Sequence, residues 1–140
     1  METIKTGIIG CGDISHYHIK NMVQAQNTEI VALCDPLDSS VQRAGKVIAD
    51  AGYPIPPNEP NLAKFLASFE MDAVLIATPH ALHHEHTLAA LEAGLDVLLE
   101  KPMVVTTGEA LSLIDARDRT GRTLVVAFQG SLSPLIRDRK

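Results

Sequence analysis

The stretch Ile4-Lys5-Thr6-Gly7-Ile8-Ile9-Gly10-Cys11-Gly12-Asp13-Ile14-Ser15 decides the fold. Ile4 to Ile9 reads as a short apolar strand, Gly10-Cys11-Gly12 follows at once, and a helix runs from about Asp13 to Gln26. A helix that opens on glycines offers its free N–H groups and the positive end of its dipole to an anion. Gly10 permits the tight turn, and Gly12 lets the backbone approach a pyrophosphate with no Cβ in the way. Ser15 takes the third position of the G-x-G-x-x-G pattern, where a small residue still allows close packing of helix on sheet. The pattern alone is weak; a strand before it and a helix after it give it weight.

The same rhythm continues along the chain. Ile30 to Cys34 is a second continuous apolar run, closed by Asp35-Pro36, and such runs suit parallel strands buried on both faces. Val41 to Ala51 reads as a helix with Gly52 as its C-cap. Tyr53 to Pro60 holds four prolines in eight residues, which excludes regular structure, and Asn61 then caps a short helix to about Ser68. Ala73 to Ala77 is a strand, His80 to Ala93 a helix ended by Gly94, and Val97 to Leu99 another strand. Thr106 or Thr107 caps a helix to about Thr120, and Leu124 to Phe128 is the last strand. Five strands separated mostly by helices predict an α/β fold with a doubly wound parallel sheet. Right-handed crossovers then place helices on both of its faces.

Composition narrows the class of protein. The 140 residues suffice for one domain with a proper core, and 46% hydrophobic with 21% charged residues is a globular balance. A net charge of −5 argues against a nucleic-acid binder. No apolar run approaches the ~20 residues of a membrane helix, and the N-terminus lacks the apolar stretch of a signal peptide. The expected location is the cytoplasm. Cys11 and Cys34 fall at predicted strand ends and read as buried free thiols, near neighbours in space.

Three further features carry chemistry. Asp35 lies 23 residues beyond Gly12 at a strand end, near the ~20-residue spacing of an acid that binds the adenosine ribose hydroxyls. Its charge repels a 2′-phosphate, so NAD is favoured over NADP. Glu100-Lys101-Pro102 follows Val97-Leu98-Leu99, which sets Lys101 at a strand's carboxyl end, where open α/β sheets place their ligands. Lysine donates hydrogen bonds to oxygen when charged and accepts a proton when neutral, both useful to a reacting hydroxyl. His80, His83, His84 and His86 crowd seven residues, and helical spacing sets the first three on one face. Zinc is one reading of that cluster, but it has no nearby cysteine and no H-E-x-x-H, so no metal site is assigned. The favoured picture has His80 and His83 facing a cofactor cleft and His84 and His86 solvated. His16 and His18 either face the mouth of the site or pack.

These segments together resemble the N-terminal domain of the Gfo/Idh/MocA oxidoreductases, the glucose–fructose oxidoreductase and inositol dehydrogenase group. The resemblance rests on Gly7 to Ser15, on Ala77-Thr78-Pro79-His80-Ala81-Leu82-His83, and on Ala90-Leu91-Glu92-Ala93-Gly94 leading into Glu100-Lys101-Pro102. It covers about residues 4 to 129, and the order of the motifs makes it specific. It implies a Rossmann-like NAD(P) domain over 1–129, with 130–140 starting a crossover to an absent substrate domain. To Gly10, Gly12 and Asp35 it adds Asp13, Ile14, Thr78, Pro79, His80, His83, Glu100 and Lys101 as cofactor contacts, with Lys101 the catalytic group. The implied partner is a small hydroxylated substrate, a sugar or polyol, with copies of the protein associating through the absent domain.

The sequence departs from the family pattern in three places. His80 stands where the family often has Asn, Leu95-Asp96 replaces a common Lys-His, and Gln129-Gly130-Ser131 lacks an arginine. Members of the family are usually more than twice this length, and their second domain supplies much of the substrate pocket. The 140-residue chain is therefore expected to lack turnover by itself. A fragment, a truncated relic and a stand-alone NAD(H)-binding module all stay open.

Overall fold

The computed structural model describes residues 3–101 and 106–127. Pro102, Phe128 and the 130–140 crossover lie outside the described residues, as does the Gln129–Ser131 departure. Five parallel strands form one sheet: β1 (Ile4–Ile9), β2 (Thr28–Cys34), β3 (Ala73–Ile76), β4 (Asp96–Glu100) and β5 (Leu124–Ala127), ordered β2-β1-β3-β4-β5. Helices α1 (Asp13–Gln24), α2 (Asp38–Asp50), α3 (Leu62–Ser68), α4 (His83–Glu92) and α5 (Thr107–Thr120) connect them. The sheet is the doubly wound one expected from the alternation of apolar runs and helices.

Alternate strand residues feed two separate cores, which is why both faces need helices. Ile8, Leu33 and Leu75 pack with Ile19, Ala44 and Ile48 of α1 and α2. Ile9, Val74, Ile76 and Leu99 pack the other way, with Phe65, Leu91 and Leu113 of α3, α4 and α5. Leu95, one of the departures from the family pattern, joins this second core, and Asp96 accepts the Thr123 N–H at 2.8 Å. Both replacements therefore serve the fold around β4.

The proline-rich segment does more than connect. Asn58 makes a single parallel bridge to Leu33, with Leu33 N–H donating to Pro57 O and Glu59 N–H donating to Leu33 O, each at 2.9 Å. One rung of a sixth strand thus flanks β2, and counting it turns the strand order into the 3-2-1-4-5-6 of dinucleotide-binding sheets. The surrounding prolines keep the rung from growing, since each lacks the N–H a ladder needs. They also blunt the edge that β2 would expose.

Several boundaries differ from expectation. α2 begins at Asp38 rather than Val41, with the acid at the positive end of the dipole. It ends in a Schellman turn, Tyr53 N–H to Ile48 O and Gly52 N–H to Ala49 O, with Gly52 at φ +93°. The helix expected over His80–Ala93 is broken. His80–Leu82 is a 3₁₀ turn, and α4 starts only at His83. Pro79 is extended, and Leu82 N–H reaches back to its carbonyl at 2.9 Å, so the first turn closes on i→i+3 bonds. Asn61 and Thr106 cap α3 and α5 as their sequences suggest, Thr106 in a full capping box with Glu109.

Gly7 on β1 leaves the seat for the Phe65 ring. A Cβ there would stand 2.5 Å from Met71 Sδ and 2.6 Å from Phe65 Cζ. Gly7→Ala should lower the unfolding free energy by about 1–3 kcal/mol through overpacking, read as a lower urea midpoint at unchanged slope.

Candidate functional site

Strand order reverses at β1, whose neighbours β2 and β3 leave for opposite sides of the sheet, and a crevice opens there at the carboxyl ends. The crevice is a cleft of about 650 Å³. Gly10, Gly12, Asp13, Ile14, Asp35, Thr78, Pro79, His80, His83, Glu100 and Lys101 all line it. Each strand delivers its part: the glycine loop from β1, Asp35 from β2, Thr78-Pro79 after β3, and Glu100-Lys101 from β4. At roughly 4.8 Å per strand, Asp35 and Glu100 stand on the order of 14 Å apart. That span matches an extended dinucleotide better than a compact metabolite. A more open groove of about 730 Å³ lies between α1 and α2. Its Arg43 and Lys46 are already paired with Asp13 and Asp50, at 3.1 and 3.2 Å.

The two loop glycines serve different ends. Gly10 sits at φ +91°, and a Cβ on it would lie 2.7 Å from the backbone of Ala77. The β1 loop can press against the β3 turn only because no side chain is present. Gly12 is the opposite case: apart from its immediate chain neighbours, nothing lies within 4 Å of where its Cβ would stand. Since Gly12 lines the cleft, the room it leaves is room for a ligand. α1 begins at the next residue, and Ser15, fully buried, donates from Oγ to Gly12 O at 2.6 Å. This loop fits a pyrophosphate.

Asp35 is fixed from several sides. Its Oδ2 accepts the Cys11 N–H and its Oδ1 the Leu37 N–H, both at 2.8 Å. The Asn58 side chain grips its backbone, with Oδ1 accepting Asp35 N–H at 3.1 Å and Nδ2 donating to Asp35 O at 3.2 Å. Each carboxylate oxygen keeps a further lone pair for a ligand hydroxyl. Asn58 escapes a sequence reading, because nothing within a proline-rich run marks one polar residue as the clamp of an acid 23 residues away.

The histidines settle into structural positions that their spacing does not foretell. His83 is fully buried, and its Nε2 donates to Thr78 O at 2.7 Å. His86 is half-buried and lines the cleft, its Nδ1 3.0 Å from Thr78 Oγ1. His84 Nε2 lies 2.9 Å from Ser112 Oγ. The expectation that His84 and His86 are solvated is therefore corrected: packing of α4 on α5 and on the β3 turn draws both inward. Among the described residues no group of three or more His, Cys, Asp or Glu is placed to hold a metal. His18 is the other surprise, with Nε2 2.6 Å from Glu100 Oε2 across 82 residues of sequence. Lys101, one residue on, is exposed at the cleft.

Fold and cleft together define a dinucleotide-binding α/β domain. Residues 4–128 match the Gfo/Idh/MocA oxidoreductases, a family described by its NAD-binding Rossmann fold, and the chain belongs to that family. It is 35% identical over 124 residues to inositol 2-dehydrogenase 3 of Saccharopolyspora erythraea, covering 88% of this chain and 35% of that protein. It is 32% identical over 130 residues to a glycosyl hydrolase family 109 protein of Shewanella amazonensis, covering 90% and 29%. The crystal structure of the WlbA dehydrogenase of Bordetella pertussis with NADH and UDP-GlcNAcA superposes at a TM-score of 0.82 with 29% identity, covering 97% of this chain and 40% of that one. The chain thus spans about a third of the length of the curated relatives it matches. No described helix is long and apolar enough to cross a membrane.

Two groups of titrations follow from burial at the site. Burial, reinforced by the Asp35 charge, pushes the Cys11 thiol up to about 12 and the Cys34 thiol up to about 11. Both should resist alkylation at pH 8 in the native chain and react once it unfolds. Unfolded thiols ionise near pH 9, so the stability these two contribute should be full below that and lost as pH rises toward 11–12. Cys11→Ala/Cys34→Ala should lack that alkaline component in denaturation curves taken across pH. Burial pushes His86 the other way, below 6.5. Its contribution should be present above pH 6.5 and lost as pH falls, a loss that His86→Gln removes.

Proposed function

We propose that this chain is the cofactor-binding part of an NAD-dependent dehydrogenase that acts on a hydroxylated small molecule, a sugar or polyol. The observation that carries the reading is the delivery of Glu100 and Lys101 by β4 into the same cleft as the Gly10–Gly12 loop and Asp35. Three groups that a dinucleotide dehydrogenase needs, a phosphate cradle, a ribose acceptor and a polar group for the reacting hydroxyl, thereby face one space. Two relatives, an inositol dehydrogenase and a dehydrogenase crystallised with a nucleotide sugar, support the substrate class.

Each residue has a definable task. The N–H groups at the start of α1, facing the space left by Gly12, hold the pyrophosphate. Asp35 accepts hydrogen bonds from the adenosine ribose hydroxyls, and its charge, fixed by Cys11 and Leu37, disfavours a 2′-phosphate. NAD is thus favoured over NADP. Thr78, held at its carbonyl by His83 and at its hydroxyl by His86, forms with Pro79 the wall between the two halves. Ile14 and His80 line the rim. NAD supplies, when bound, hydride-transfer chemistry. Lys101 Nζ contacts the substrate oxygen; as a neutral amine it takes the hydroxyl proton and becomes an ammonium, and in the reverse direction the ammonium donates that proton back.

Because the chain covers only 35% and 29% of the length of the dehydrogenase and glycosyl hydrolase relatives above, we assign turnover to a longer assembly whose second domain completes the substrate pocket, with copies associating through that domain. The share of the relatives that this chain covers also supports a second reading, a module that binds NAD(H) without chemistry.

Fluorescence titration of the chain should show saturable NADH binding, tighter than NADPH by at least about tenfold, or about 1.4 kcal/mol. Asp35→Ala should weaken NADH and narrow that gap, while Lys101→Ala should leave NADH affinity within about threefold. Absence of saturable binding by either nucleotide would overturn the proposal. Binding without turnover after a family substrate domain is supplied would favour the module.

A further inference from the structure

We propose that His18 is a positioning residue for Glu100, holding its carboxylate at the nicotinamide end of the cleft. The inference rests on the dinucleotide reading above and adds a residue that lies outside the cleft lining. His18 Nε2 stands 2.6 Å from Glu100 Oε2, and the two side chains are only 16% and 13% exposed. That is the geometry of a charge-assisted hydrogen bond sheltered from solvent. Among the described residues it is the one hydrogen bond or ion pair that the Glu100 side chain makes.

Among the described residues the pair is also the one side-chain hydrogen bond or ion pair between its two elements. His18 sits on α1, the helix that starts at the glycine loop, while Glu100 ends β4. The chain therefore runs from the phosphate cradle through α1 and across the His18–Glu100 bond to Lys101. A carboxylate this sheltered is costly to leave without a partner, so removing His18 frees Glu100 to swing toward the cleft or outward to water. Either movement alters the charge and shape at the nicotinamide end, next to Lys101. The adenosine end is untouched, because Asp35 is held by Cys11, Leu37 and Asn58 from other elements. The Tyr17 ring, edge-on to the His18 ring with centroids 5.5 Å apart, limits the imidazole's own rotation.

This separation into two ends makes the proposal testable with two ligands. NADH reaches both ends, while ADP-ribose carries the adenosine and pyrophosphate but no nicotinamide. Calorimetric titration of the full 140-residue chain with each should separate them. His18→Leu, which keeps bulk and removes the ring nitrogens, should weaken NADH roughly tenfold and change ADP-ribose by less than about twofold. His18→Gln restores an amide donor and should bring NADH back within about threefold of the native chain. On a Glu100→Gln background the His18→Leu change should add little further loss for NADH.

Unchanged NADH affinity in His18→Leu would overturn the proposal, as would an equal loss for ADP-ribose, which marks general loosening. Failure of both His18 variants to fold would also overturn it, by showing that the pair holds the fold. A native chain that binds ADP-ribose and NADH while the variants show no difference sinks this inference alone. A native chain that binds neither ligand sinks the dinucleotide reading and this inference with it.

Discussion

The whole site depends on how closely two backbones approach at Gly10. Its φ of +91° and the 2.7 Å that would separate a Cβ from Ala77 leave no side chain compatible with the contact. Because the loop after β1 lies against the turn after β3, the cleft has a continuous floor from Gly12 to Thr78. The hydrogen bond from Gly10 N–H to Cys34 O ties the same point to β2. One residue without a side chain thus brings three strand ends into register, and the groups those strands carry follow.

Around that point the polar groups form a chain of restraints. The Asp35 carboxylate stitches the glycine loop to the start of α2 through Cys11 and Leu37. Asn58 anchors Asp35 from outside, on a rung that the prolines keep short. His83 and His86 hold Thr78, and His18 reaches over to Glu100. A buried or half-buried polar group needs a partner, and here Asp35 and Glu100 find theirs on distant elements while Thr78 and Ser15 find theirs nearby. The buried hydroxyl of Thr87, away from the cleft on α4, is the exception among the described residues. A site restrained this way is set before any ligand arrives, which lowers the ordering cost of binding.

Much of this was legible in the sequence, and the reasons differ by element. The buried strands could be read because parallel strands covered on both faces need continuous apolar runs, as in Ile30–Cys34 and Ala73–Ile76. Asn61 and Thr106 could be read as caps because the chemistry of a cap is local. The histidine run misled, since periodicity assumes one regular helix and Pro79 imposes a 3₁₀ turn first. His80 stays exposed and His83 is buried, yet their rings still meet edge to face with centroids 5.5 Å apart, and both line the cleft.

The sequence by itself determined the class of fold, the order of its motifs and the positions of Gly10, Gly12, Asp35 and Lys101. Those depend on backbone conformation and short spacing, which neighbouring residues encode. Tertiary structure alone decided the partners: Asn58 for Asp35, His18 for Glu100, and His83 and His86 for Thr78. The two longest of these pairings cross 23 and 82 residues, and all are set by which strand ends and helix faces the sheet brings together. A hydrogen bond is specified by position in space, and no pattern along the chain records that position until the sheet has closed.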